Sequence, residues 1–184
     1  YIWKYQGQKK ERTIGLYGGI SYNYAEVMSK PSGYLGYKAG VVMNKKFGIG
    51  FAGAALNHDR QLNELSEFGT YRLEAGYAGM FVEYIQPIGN RVRLNLFVIS
   101  AAGIARYQYD KQYADDLIWY REVIDQDTYV VLEPGMECNV RISQKWWIGI
   151  NGTLKTTSPL DLAGTSENML EGFSGGITVK YGIF

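Results

Sequence analysis

From about Thr13 onward the chain is written in a period of two. Between Val130 and Ile142, the residues Val130, Leu132, Pro134, Met136, Cys138, Val140 and Ile142 fall on one face, and Glu133, Gly135, Glu137, Asn139 and Arg141 fall on the other. Successive side chains of a β-strand point to opposite faces, so this pattern predicts a strand with one apolar and one polar side. A helix would scatter the same apolar residues around its circumference.

Seven further segments read in the same way. The first runs from about Thr13 to Asn23, with Ile14, Leu16, Ile20 and Tyr22 on one face. The second, Tyr34 to Asn44, aligns Leu35, Tyr37, Ala39, Val41 and Met43, and the third aligns Phe47, Ile49, Phe51 and Ala55. The fourth spans Thr70 to Gln86. Its apolar face begins as Tyr71, Leu73, Ala75 and Tyr77 and continues as Met80, Val82 and Tyr84, a change of parity that predicts a β-bulge near Gly79. After the turn Pro87–Asn90 comes a fifth segment, Arg91 to about Tyr109, setting Val92, Leu94, Leu96 and Val98 against Arg93, Asn95 and Phe97. The segment at Val130 is sixth. The seventh carries Trp146, Ile148, Ile150 and Leu154, and the eighth, Gly172 to Phe184, carries Phe173, Ile177, Val179, Tyr181 and Ile183.

The connections alternate too. Short ones follow segments two, four and six, and long ones of roughly ten to twenty residues follow one, three, five and seven. A chain of 184 residues is one domain by size. The prediction is an all-β, eight-stranded antiparallel up-and-down barrel over residues 13–184, with an N-terminal arm over residues 1–12. The 23 glycines, 16 tyrosines, 7 phenylalanines and 4 tryptophans suit strands and turns rather than helices.

Which face points outward decides between a soluble and a membrane barrel, because alternation alone fits both. No apolar run approaches the roughly 18 residues of a membrane-spanning helix, and mean hydropathy is −0.20. A barrel escapes that test because alternation dilutes its lipid-facing residues. Three features favour apolar-outward. The fourth and fifth segments are long enough to cross a bilayer on a tilt. The polar face is rich in glycine (Gly36, Gly40, Gly48, Gly50, Gly76, Gly135, Gly149, Gly182), which suits a cramped eight-strand lumen. That face also carries both signs of charge (Lys38, Arg72 and Glu74 among them), and Glu133, Glu137, Arg141, Arg93, Lys155 and Lys180 are expected to form an ion-pair network inside. Aromatic residues then mark two rims: Phe47, Trp146, Trp147 and Phe184 by the short turns, and Tyr22, Tyr24, Tyr34, Tyr71, Tyr107 and Tyr129 by the long loops.

This layout resembles the small eight-stranded outer-membrane barrels of the OmpA-barrel and OmpX types, over about Thr13 to Phe184. The most specific local likeness is the final strand, Ile177-Thr178-Val179-Lys180-Tyr181-Gly182-Ile183-Phe184, whose apolar residues run one position out of phase with the terminal aromatic. The segment Leu132-Glu133-Pro134-Gly135-Met136-Glu137 also looks like strands of such proteins. The resemblance implies a bacterial outer-membrane location, contact with outer-membrane lipid and lipopolysaccharide, and assembly by the barrel-assembly machinery.

No catalytic motif accompanies the pattern. The single histidine, His58, stands beside Asp59 and Arg60, and neither Ser66 nor Ser100 has motif spacing to it. A lone Cys138 excludes an internal disulfide framework and a cysteine-based metal site. A net charge of +1 provides no field to attract nucleic acid. Basic residues gather in the arm (Lys4, Lys9, Lys10, Arg12) and near the short turns (Lys45, Lys46, Arg91, Arg93, Arg141, Lys145), while acids gather in the long connections. The chain begins at Tyr1 without a signal segment, so a leader is expected to have been removed, or the sequence trimmed.

The third long connection is the most apolar. Its Leu117, Ile118, Trp119 and Tyr120 are a candidate docking surface for another envelope protein, or the buried flanks of extended strands. The expectation is a non-enzymatic outer-membrane barrel with a closed polar interior, without cofactor or metal, acting structurally or through its loops. Two alternatives stay open: a soluble lipocalin-like barrel holding an apolar ligand, and a lipid-modifying outer-membrane enzyme.

Overall fold

The computed structural model describes residues 13–27, 30–58, 70–110, 121–162 and 166–183. The described residues form eight strands: β1 (Ile14–Val27), β2 (Lys30–Met43), β3 (Phe47–His58), β4 (Thr70–Ile88), β5 (Val92–Asp110), β6 (Arg121–Arg141), β7 (Trp146–Thr157) and β8 (Gly172–Ile183). Each pairs antiparallel with its sequence neighbour, and β8 pairs back onto β1 through Leu16–Ile183 and Ala25–Ser174, so the sheet closes. The predicted barrel is the observed one. The N-terminal arm, residues 1–12, and Phe184 lie outside the described residues.

Orientation follows the alternation. Ile14, Leu16 and Ile20 of β1, Phe51 of β3, Val82 of β4, Leu132 of β6, Ile150 of β7 and Phe173 of β8 are exposed, while residues of the opposite parity along these strands line the interior. Glu133, Glu137, Lys155 and Lys180 are no more than 5% exposed. An apolar outside around a charged inside is the inverse of a water-soluble barrel.

Three strand details differ from the sequence reading. The first is at Gly79. Register between β4 and β5 runs unbroken from Thr70–Asp110 to Ile88–Val92, without a bulge. Leu73, Ala75 and Tyr77 therefore face inward with Phe81 and Glu83, and Glu74 faces outward. The apolar face changes sides because the long-loop half of the lumen is itself apolar. The register shift lies instead between Tyr107 and Gln108, where Ile124 of β6 has no opposite on β5.

The second concerns length. β1 and β2 continue past Asn23 and before Tyr34, pairing Tyr24–Gly33 through Val27–Lys30, so only residues 28–29 separate them where the sequence pattern predicts a long loop. Pro31 sits in this extension without breaking it, because β2 gains its β3 partner only from Gly33 onward. Above that point β2 is an edge, where a residue lacking an N–H is tolerated. By the same rule Pro134, inside β6, coincides with an interruption of the β6–β7 ladder between Leu132 and Gly135. Third, Tyr34, Tyr129 and Trp147 point into the barrel, at 4%, 3% and 3% exposure, and do not join the rims.

The short-turn end is tightly made. Asn44 and Lys45 both have positive φ, 53° and 58°, as a compact hairpin turn requires, and Lys46 N–H donates to Met43 O at 3.1 Å. Aromatic pairs line the outer surface there: Phe47 with Tyr84 at 5.4 Å and Trp146 with Tyr181 at 5.1 Å between ring centroids.

Interior glycines make room for large neighbours. A Cβ on Gly135 would lie 2.6 Å from Phe97 Cζ and 2.7 Å from Thr153 Cγ2. Gly135→Val is thus expected to destabilise the refolded barrel by about 1–3 kcal/mol through overpacking. Urea unfolding in detergent micelles measures this, and an unchanged midpoint would show that Phe97 yields freely.

Candidate functional site

The interior is built in tiers, beginning at the short-turn mouth. There the Trp147 ring is buried, with Arg93 Cζ 4.1 Å and Arg141 Cζ 5.9 Å from its centroid. Guanidinium stacking on indole lets a charged plane cover an apolar one. Deeper in, Glu83 accepts hydrogen bonds from Tyr17 Oη at 2.5 Å and Asn95 Nδ2 at 3.1 Å.

The next tier is ionic. Glu137, on β6, receives Lys180 Nζ from β8 at 2.6 Å and Lys38 Nζ from β2 at 3.7 Å. Lys38 also sits 3.1 Å from the Phe97 ring centroid. Three strands spaced around the wall are therefore tied through one carboxylate. Burying such charges is costly, and only partners of opposite sign make it tolerable.

Above this, Glu133 accepts from the Tyr77 hydroxyl and from Thr153 Oγ1 at 2.6 Å, and Thr153 shares a further hydrogen bond of 2.6 Å with Ser174. Lys155 Nζ lies 3.7 Å from the Tyr34 centroid and 5.1 Å from that of Tyr77. Beyond Lys155 the lining turns apolar. Val27, Leu56, Leu73, Ala105 and Val131 form one cluster with Leu160, Leu162, Met169 and Leu170 of the β7–β8 connection. That connection is fastened down: Ser158 N–H donates to Val130 O at 3.0 Å, Asp161 N–H to Asp127 Oδ2 at 2.8 Å, and Thr157 N–H to Glu171 Oε1 at 3.0 Å. Its buried Leu160, Leu162, Met169 and Leu170 cover this apolar lining.

Of the six residues expected to form an ion-pair network, the structure brings Glu137 and Lys180 into contact. Glu133 is held by hydroxyls, Lys155 by tyrosine rings, and Arg93 and Arg141 by Trp147 at the mouth. Sequence reasoning places Lys38 inside without its partner and misses Tyr17, Tyr77 and Glu83 as lining groups. Inward parity on β1 and β4 is the signal available for them. Leu117, Ile118, Trp119 and Tyr120 lie outside the described residues.

The space left among these tiers is small. A cavity of about 30 Å³ lies between Ser21, Asn23, Tyr77, Glu133, Asn151 and Thr178, a volume on the scale of two waters. Catalytic pairing of His58 with Ser100 is excluded by register. His58 lies opposite Leu73, and Leu73 opposite Tyr107, leaving Ser100 seven residues further along β5, roughly 23 Å away.

Solved structures share this architecture. Neisserial surface protein A matches with a TM-score of 0.57 at 9% identity, covering 94% of this chain and 97% of its own. The N-terminal β-barrel domain of Pseudomonas aeruginosa OprF matches at 0.52 and 9%, covering 92% and 97%. A major outer membrane protein from Thermus thermophilus matches at 0.51 and 11%, covering 94% and 99%. At the level of sequence, neither a family model nor a curated protein matches the chain. The fold is that of the small eight-stranded transmembrane barrels.

Two substitutions probe the interior. Glu137→Gln removes the carboxylate that both Lys180 and Lys38 contact and is expected to cost about 3–5 kcal/mol of unfolding free energy, against about 0.5 kcal/mol or less for Glu26→Gln on the outside. Equal effects in denaturant titrations would remove Glu137 from its central place. Asp127→Ala frees the Asp161 amide and is expected to speed protease cleavage within residues 158–171 relative to the parent. Identical cleavage rates would mean that the connection is held without that contact.

Proposed function

We propose that this chain is an integral protein of a bacterial outer membrane, a closed barrel that neither conducts solutes nor performs catalysis. The observation that carries the reading is the pairing of an apolar belt, drawn from all eight strands, with an interior filled by ion pairs, hydroxyls and aliphatic side chains. Water does not tolerate the first in a monomeric protein, and the second leaves no room for substrate or ion traffic. The same filling disfavours a soluble lipocalin-like carrier, which needs an interior void for its ligand.

In this setting the short turns face the periplasm and the longer connections face outward, as in small barrels with short periplasmic turns. Outer-membrane lipid and lipopolysaccharide surround the belt, and the barrel-assembly machinery inserts it. The role is structural or recognition-based, with the third long connection, including Leu117, Ile118, Trp119 and Tyr120, as a docking surface for another envelope protein.

Membrane residence has a direct signature. Detergent-extracted protein left unboiled is expected to run as a compact band on a denaturing gel and to shift on heating, and insertion into planar bilayers is expected to give no conductance steps above background. Full solubility of folded protein without detergent would refute the membrane reading. Stepwise channels would refute the closed interior while leaving the membrane reading intact.

A further inference from the structure

The short-turn rim carries charge of one sign. Its described turn residues, 44–46, 89–91 and 142–145, include Lys45, Lys46, Arg91 and Lys145 and no Asp or Glu, and Arg141 ends β6 beside them. All five basic residues are exposed. Lys46 and Lys145 directly precede the outward aromatics Phe47 and Trp146, which pair with Tyr84 and Tyr181, and Lys145 Nζ lies 5.9 Å from the Tyr181 centroid. Aromatic rings of this kind mark the depth of lipid headgroups, so the cations sit where phosphates lie.

One part of this rim is concave. Between the β4–β5 and β6–β7 turns, Arg91, Arg141, Ile142, Ser143 and Gln144 line an open pocket of about 540 Å³. The backbones of the two turns are tied by Arg141 N–H donating to Arg91 O at 2.8 Å, and both arginines line the pocket. Arginine's planar fork matches phosphate oxygens in pairs, and the serine hydroxyl and glutamine amide add neutral donors. Ile142, 63% exposed, continues the pocket onto the apolar belt.

We infer that this pocket binds the phosphate of an anionic phospholipid in the leaflet bordering the short turns, with the lipid's acyl chains lying against the belt at Ile142. The inference rests on the barrel spanning a membrane as proposed above. A free phosphate ion would satisfy the arginines but would gain nothing from Ile142; a zwitterionic lipid would offer the phosphate together with a cation that the basic rim repels.

The test uses the full chain folded into nanodiscs of phosphatidylcholine and phosphatidylglycerol in equal parts, then transferred to mild detergent, with the retained lipid quantified by mass spectrometry. Phosphatidylglycerol is expected to be retained well above its bulk proportion. Arg91→Gln with Arg141→Gln is expected to lower that enrichment roughly ten-fold or more, since each basic side chain at an anionic surface contributes about five-fold. Arg91→Lys with Arg141→Lys is expected to keep part of it, and Arg106→Gln, on the far end of β5, all of it. The heat-dependent gel shift on the same preparations identifies any variant that has not folded, and the lysine pair then decides the matter: enrichment no lower than the parent's would remove the arginine geometry. Bulk-ratio retention by the parent, undiminished enrichment in the double glutamine variant, or complete release of lipid by millimolar inorganic phosphate would each overturn the inference. Failure of the parent to enter nanodiscs at all would instead refute the membrane reading on which it stands.

Discussion

Every other feature of this barrel follows from the need to pair all backbone amides and carbonyls across a medium that offers no water. In hydrocarbon an open sheet edge leaves unpaired groups worth several kcal/mol each, so an all-β chain must close on itself. Here the closure is the β1–β8 ladder, from Leu16–Ile183 to Ala25–Ser174. Once closed, alternation leaves no choice: one face of each strand meets lipid and the other meets the remaining strands across a narrow lumen. Pro31 and Pro134 show how strictly the demand is met, since each lies where one side of the ladder is already absent.

The interior then has to be satisfied as well as filled, and it does so differently along its length. Near the short turns charge is handled by partners, above all Glu137 with Lys180 and Lys38, and by stacking of Arg93 on Trp147. Near the longer connections charge gives way to Leu56, Leu73 and Val131 under the aliphatic side chains of the β7–β8 connection. The two halves fill the lumen by unlike means. A polar network fixes geometry because each member has few acceptable partners, whereas an aliphatic cluster needs only volume and exclusion of water. The proposed function accordingly rests on the outside: belt, loops and basic rim.

Much of this is legible in the amino-acid order, for identifiable reasons. The facing of β6 can be read directly because its alternation is complete from Leu132 to Ile142. The first half of β4 misleads because Leu73, Ala75 and Tyr77 are apolar yet point inward, and period alone cannot separate an apolar lumen from an apolar exterior. The extension of β1 and β2 is hidden behind Lys30-Pro31-Ser32-Gly33, which has the composition of a turn. Interior partners are the least legible. Which carboxylate meets which lysine depends on strand stagger, which residue spacing within a strand does not encode. Leu160, Leu162, Met169 and Leu170 follow neither strand nor helix period, so their burial becomes visible only with the fold.

The central claim is that the apolar face of each strand lies in lipid and the charged face in a closed lumen. Single-cysteine spin labels placed in turn from Val130 to Val140 on β6, in a Cys138→Ser background and in lipid bilayers, test it most directly by accessibility to oxygen and to a polar relaxant. The account predicts high oxygen access at positions 130, 132, 134, 136 and 140, low access to either reagent at 131, 133, 135, 137 and 139, and polar-reagent access only beyond the ends of the belt. Polar-reagent access at the even positions, or free access to both reagents at the odd ones, would contradict it.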